Sequence, residues 1–108
     1  RRLCPHCKIE DDDQTIYHHH SIDANHRFFK ANPNGCNECN QGYSGRVGIY
    51  EVMPFTDKLK ASLISRPNAI EVEALAKQEG MQTLRDSGLE KLLSGVTSYQ
   101  ELQRVLYL

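Results

Sequence analysis

All four cysteines of this chain fall in two Cys-x-x-Cys knuckles, Cys4-Pro5-His6-Cys7 and Cys36-Asn37-Glu38-Cys39. No other feature constrains the fold as much. Two intervening residues let a tight turn aim both sulfurs at one point, and two such turns supply the four corners of the tetrahedron that Zn²⁺ accepts. The chain between the knuckles is thereby closed into a long loop. A site with four protein ligands keeps no position open for a substrate, so its expected role is structural. It contributes folding free energy, on the order of 10 kcal/mol or more in small zinc peptides near neutral pH. The expected ligands are Cys4, Cys7, Cys36 and Cys39, and the expected metal is zinc.

Three other uses of four cysteines compete with this reading. Two disulfides require an oxidising compartment. A reactive dithiol of the thioredoxin kind requires a βαβ setting and leaves the second knuckle unexplained. A rubredoxin-like iron centre takes the same ligands, and ligand type alone does not separate iron from zinc. Histidines also offer metal ligands, and His6, His18, His19, His20 and His26 all lie in the first quarter of the chain. His6 sits inside its knuckle, where a side chain normally points away from the metal, and the cysteines already complete the tetrahedron. His18 to His20 lie in a polar stretch and read as a solvated loop face.

Composition narrows the class. With 108 residues, 39% of them hydrophobic and no tryptophan, the chain is one soluble domain or a piece of a larger protein, with a modest core. No apolar run approaches the roughly 20 residues that span a bilayer, so membrane contact is expected through a partner and not by direct insertion. A net charge of -1 argues against a nucleic-acid footprint, which needs a concentrated basic surface. Arg1, Arg2 and Lys8 flank the first knuckle, but Glu10 to Asp13 follow and offset them. Without a leading Met, and with Arg1-Arg2-Leu3 running straight into the metal site, the chain reads as a fragment.

The expected class is α+β: a small tetracysteine zinc-binding subdomain with a short β element, followed by about four short α-helices. Residues 1–53 form the metal-binding subdomain and its following strand, and residues 54–108 the helical subdomain. Between the knuckles, Phe28 and Phe29 suggest a short extended segment beside the metal site, their side chains pointing to opposite faces. Residues 14–26 hold a possible short helix of weak periodicity. Val47 to Val52 reads as a largely covered strand fed by a glycine-rich turn and ended by Pro54. Glu51 on a covered strand would need a partner, with Arg46 the nearest in sequence if a bulge falls at Gly48.

Beyond Pro54 the signals turn helical. Thr56 or Asp57 starts a helix carrying Leu59, Leu63 and Ile64, which stops before Arg66-Pro67. Asn68 with Glu71 resembles a capping box for a helix with Val72, Leu75 and Ala76 inside, ended by Gly80. A third helix runs from near Thr83 to Gly95 with Leu89, Leu92, Leu93 and Val96 on its stripe. Gly88 within it costs about 1 kcal/mol relative to alanine, which suggests close packing or a kink. Ser98 with Glu101 caps a fourth, whose Tyr99, Leu102, Val105 and Leu106 face inward. These stripes read as core more than as contact surface.

The motifs of catalysis are missing from the chain. It holds no G-x-x-x-x-G-K-[ST] phosphate loop, H-E-x-x-H, G-x-S-x-G or G-x-G-x-x-G. Gly42, Gly45 and Gly48 serve a turn and strand and are not a dinucleotide fingerprint. No catalytic residue is expected here, and none that binds a cofactor other than the metal.

Taken together, the motifs resemble a known family. Leu3-Cys4-Pro5-x-Cys7-Lys8 is followed by Gly35-Cys36-x-x-Cys39-x-x-Gly42-Tyr43-x-Gly45-Arg46-x-Gly48-Ile49-Tyr50-Glu51. Gly80-Met81-x-Thr83-Leu84-Arg85-x-x-Gly88-Leu89 and Gly95-Val96-Thr97-Ser98-x-x-Glu101 come later. This order resembles the C-terminal region of the secretion and pilus-assembly ATPases, the GspE/PilB-type motors of type II secretion and type IV pili. The resemblance covers nearly the whole chain except about Ile9 to Ala31. It implies a cytoplasmic, usually hexameric ring ATPase, peripheral at the inner membrane through a platform protein. ATP and magnesium would be bound upstream of this chain. The fragment would contribute the zinc site at Cys4, Cys7, Cys36 and Cys39 and contacts to neighbouring ring subunits. A rival from another class is a zinc ribbon binding nucleic acid or a transcription partner; near-neutral charge and the helical second half speak against it. A thiol redox protein is a third reading.

Overall fold

The computed structural model describes residues 1–20, 22 and 25–106, apart from the side chains of residues 18–20. The solvated face expected of His18 to His20 lies outside the described residues. The chain forms two compact units, one comprising Arg1–Gly48 with Gly88–Leu108 and the other Ile49–Ser87. Seven elements follow in order: β1 (Ile9–Asp11), α1 (Thr15–His20), β2 (Phe28–Lys30), α2 (Asp57–Leu63), α3 (Ala69–Gln78), α4 (Leu84–Leu93) and α5 (Tyr99–Leu106). The class is α+β, as expected. No helix among the described residues is long and apolar enough to cross a membrane.

In the first unit, β1 and β2 pair antiparallel with Ile9 opposite Lys30 and Asp11 opposite Phe28. Phe28 is fully buried and Phe29 partly so. The alternation of a strand sends their rings to opposite faces. Phe28 enters a cluster with Ile16, Leu92, Tyr99 and Leu102. Each such side chain contributes about 1.5–3 kcal/mol by leaving water. Phe29 instead meets the α4–α5 turn at Gly95 and carries the Lys8 ammonium 4.4 Å above its ring. The aromatic pair thus forms the expected extended segment, but Phe28 is seated in a helical core.

Local chemistry sets the ends of the helices in this unit. α4 closes on Gly95, at φ +75°, with the Val96 amide donating to the Lys91 carbonyl. That left-handed C-cap suits glycine. Ser98 starts α5, its hydroxyl accepting from the Glu101 amide at 3.1 Å. Gly88 lies where a Cβ would come within 3.0 Å of Leu102 and 2.9 Å of Leu106 on α5, so the expected close packing is present.

In the second unit the expected caps hold α2 and α3. The Thr56 hydroxyl accepts from the Leu59 amide at 3.2 Å, and the Asn68 side chain from the Glu71 amide at 2.8 Å. Thr83 and Asp86 cap the start of α4 reciprocally, each side chain accepting from the other's amide. This holds the Asp86 carboxyl below the usual range, chiefly through the Thr83 backbone.

Several expectations fail. Residues 47–52 form no strand; only Val52 is paired, through two 2.8 Å hydrogen bonds with Gln82. A strand needs a ladder, and no described element runs beside residues 47–51. Tyr50, Val52 and Met53 are therefore exposed, and Glu51 is solvated and needs no partner. Ile64 is 85% exposed, because α2 ends before it, and Leu63 and Leu93 on the expected stripes are exposed as well. Val105 is 45% exposed: it lies about 100° around α5 from the inward Leu106, off the stripe that Tyr99 and Leu102 define.

Candidate metal centre

The two knuckles meet. The sulfurs of Cys4 and Cys36 are 3.7 Å apart, those of Cys7 and Cys39 3.7 Å, and those of Cys36 and Cys39 3.6 Å. All four lie within 4.8 Å of one another. A Zn–S bond of about 2.3 Å gives a tetrahedron with edges of about 3.8 Å, so these separations fit four thiolates around one such ion. A disulfide requires about 2.05 Å. No two of the four are bonded, and the two-disulfide arrangement is not the one observed.

Short backbone contacts shape each knuckle. The Lys8 amide donates to the Cys4 carbonyl at 3.1 Å and the Cys39 amide to the Cys36 carbonyl at 3.4 Å, closing the two turns. They are then tied together, for the Cys4 amide donates to the Gly42 carbonyl at 2.9 Å. The Arg2 and Ser44 backbones bond the same two stretches side by side. Gly42 has φ +89°, and a Cβ on it would fall 2.7 Å from Ala31 Cβ and 2.8 Å from the Asn32 carbonyl oxygen. Only glycine fits where the second knuckle crosses the end of the intervening loop.

The α4–α5 turn is the seat of the first knuckle. The Leu3 amide donates to the Val96 carbonyl at 2.8 Å, the Thr97 hydroxyl to the Arg1 carbonyl at 2.8 Å, and the Lys8 ammonium to the Gly95 carbonyl at 2.9 Å. The second knuckle reaches the same turn through Tyr43, whose hydroxyl is 2.8 Å from the Ser98 hydroxyl. The arrangement of the four sulfurs and the packing of α4 and α5 are therefore mechanically linked within this unit.

The four thiols perturb one another. Burial and the thiols of Cys36, Cys39 and Cys4 push the Cys7 thiol up to about 12. Cys36 is pulled down by the Glu38 backbone but left raised by burial and its neighbours. Cys39 is lowered to about 7 because backbone contacts with Cys36 and Gly42 outweigh its burial. Several thiolates crowd badly in one small volume, and a bound dication reverses that repulsion while releasing protons. Cys4 is fully buried and the other three partly so, which leaves little access for a substrate. Among the described residues no histidine joins the cluster; His6 and His26 are exposed.

A second charged feature escaped the sequence reading. Glu101 is 2% exposed, and the Arg1 guanidinium, a hundred positions away, donates to it through Nε at 3.1 Å and Nη2 at 2.9 Å. Arg104 adds contacts of 3.2 Å and 2.5 Å. Burial alone would raise the Glu101 carboxyl, but the hydrogen bonds from Arg104 and Arg1 hold it well below the usual carboxylate range. The Arg1 guanidinium also stacks 4.1 Å from the centre of the Tyr43 ring. A Glu at the third position after a Ser cap signals a capping box, and that signal conceals the longer-range role.

Residues 1–104 match the model of the family described as type II/IV secretion system protein. The chain is 42% identical to the type IV pilus assembly ATPase PilB of Pseudomonas aeruginosa, over 97% of this chain and 19% of that protein. It is 42% identical to PilB of Myxococcus xanthus, covering 94% of this chain and 19% of the relative. It is 37% identical to the type II secretion system protein E of Klebsiella pneumoniae, covering 97% and 21%. The chain thus spans about a fifth of the length of these curated relatives.

Proposed function

This chain belongs to the type II/IV secretion system protein family, and from that premise we propose that it is the non-catalytic, zinc-binding C-terminal region of a motor ATPase. In this reading the parent forms a hexameric ring that drives type IV pilus assembly or type II secretion. ATP and magnesium are handled outside these 108 residues. The region steadies the ring and offers a docking surface to neighbouring subunits and to an inner-membrane platform protein, which would hold the parent at the cytoplasmic face.

The observation that carries the proposal is the convergence of four sulfurs within 4.8 Å from two knuckles far apart in sequence. Cys4, Cys7, Cys36 and Cys39 would hold Zn²⁺, which supplies folding free energy there and no substrate chemistry. The hydrogen bonds from the first knuckle to residues 95–97 supply a route from the metal to α4 and α5. Loss of the metal would loosen that turn and, with it, whatever the unit presents to its partners.

The experiment replaces Cys36 and Cys39 with serine in the full-length parent. Loss of one zinc per subunit together with impaired piliation or secretion supports the proposal. Full piliation or secretion with no zinc bound would sink it. A net charge of -1 and the seating of the first knuckle on the turn between two helices weigh against the nucleic-acid ribbon.

A further inference from the structure

Residues 1–3 and 43–45 run side by side, through hydrogen bonds from the Arg2 amide to the Gly45 carbonyl and from the Ser44 amide to the Arg2 carbonyl. This pairing places Arg46 next to Arg1. An open cavity of about 630 Å³ lies there, lined by Arg1, Arg46, Val47 and Arg104. It belongs wholly to the first unit and is separate from the four sulfurs. A smaller recess lined by Arg1, Asn40, Tyr43, Gly45 and Arg46 adjoins it.

We propose that this arginine-lined cavity binds the phosphate group of a phosphate ester. Glu101 accepts from Nε and Nη2 of both Arg1 and Arg104, and so fixes two guanidinium planes from behind. Tyr43 stacks on the first of them. Both Nη1 groups remain without a hydrogen-bond partner among the described residues, and Arg46 makes neither a hydrogen bond nor an ion pair there. One carboxylate against the guanidiniums of Arg1, Arg46 and Arg104 leaves an excess of positive charge, which suits a dianion. Guanidinium forks match phosphate oxygens in pairs, and a preoriented fork loses less side-chain freedom on binding. The cavity is open, so a phosphate held by the guanidinium forks leaves room for the rest of an ester to extend outward. That ester is either a free phosphate ester or a lipid headgroup.

The test is calorimetric titration of the zinc-loaded chain at low salt. One arm uses pyrophosphate, and the other uses vesicles of phosphatidylcholine with and without phosphatidic acid. Arg46→Ala should weaken binding at least about tenfold, and Arg46→Lys by less, because lysine keeps the charge but loses the fork. The thermal midpoint should stay unchanged in both, since Arg46 has no hydrogen bond or ion pair among the described residues. Arg27→Ala, an exposed arginine of the same unit, is the control and should bind as the parent does. Binding of pyrophosphate alone identifies a free ester as the source, and binding confined to phosphatidic acid vesicles identifies a headgroup. Failure of both probes to bind, or equal losses in Arg46→Ala and Arg27→Ala, overturns the proposal.

Discussion

The backbone of Gly42 passes so close to Asn32 that a Cβ placed on it would sit 2.8 Å from the Asn32 carbonyl oxygen. The second knuckle and the end of the intervening loop share a space that no other residue type fits. Gly42→Ala must move backbone, and its φ of +89° adds strain of about 1 kcal/mol or more. We expect a loss of about 2–4 kcal/mol and weaker metal binding. Gly45→Ala is the comparison: φ is +77° with nothing within 4 Å, so only the strain of about 1–2 kcal/mol remains. Equal effects of the two substitutions, by denaturant unfolding and metal competition, would contradict the close approach.

Glu101 supplies a pH signature. Its folded-state carboxyl is held below the ordinary value, so its contribution is fully present above the unfolded pKa of about 4.3 and is lost as pH falls through the folded value. Glu101→Gln should destabilise the chain by about 1–3 kcal/mol at pH 7, since both arginines lose a charged acceptor. The gap between variant and parent should narrow below about pH 4. Unfolding measured in parallel across that range checks it; a gap that widens with acid would have the wrong sign.

Ser98 and Tyr43 join the second knuckle to α5 through hydroxyls 2.8 Å apart, and Ser98 is almost fully buried. Ser98→Ala also removes the cap from the Glu101 amide and should cost about 1–2 kcal/mol. Tyr43→Phe should cost about 1 kcal/mol. The double variant should lose less than the sum, with a coupling of about 0.5 kcal/mol or more. Strict additivity in denaturant unfolding would mean that the bond does not link the two segments.

Gly88 tests packing between α4 and α5. Alanine there gains about 1 kcal/mol of helix propensity but meets Leu106 at 2.9 Å and Leu102 at 3.0 Å. Those atoms are the ends of leucine side chains and can shift in part, so Gly88→Ala should fall within about 1 kcal/mol of the parent. Gly88→Val, which is larger and β-branched, should cost about 2 kcal/mol or more. A neutral valine by thermal melting would mean that the helices are not in contact there.

What was legible in the sequence is what local chemistry decides. Thr56, Asn68, Thr83 and Ser98 announce helix starts because a capping side chain bonds an amide two or three residues ahead, a distance visible in the sequence. The knuckles are legible for the same reason, since two residues suffice to aim two sulfurs. β1 is not legible because Glu10 and Asp11 stand out only as charges that offset the basic flank of the first knuckle; its pairing partner lies about twenty residues on, in Phe28 to Lys30. Ile16 is fully buried, yet α1 is too short for its periodicity to stand out. Glu101 was read as a cap, since its binding to Arg1 spans a hundred positions and leaves no local pattern. Val47 to Val52 carries the composition of a strand but finds no ladder among the described residues, and composition cannot supply the missing neighbour.

The measurement that bears most directly on the central claim is metal content against folding. The purified chain should carry one zinc per molecule by elemental analysis. A chelator should remove it together with cooperative unfolding, and stoichiometric zinc should restore both. A chain that keeps the same thermal midpoint and helical content after its metal has been stripped would contradict the claim that the four cysteines hold this unit together.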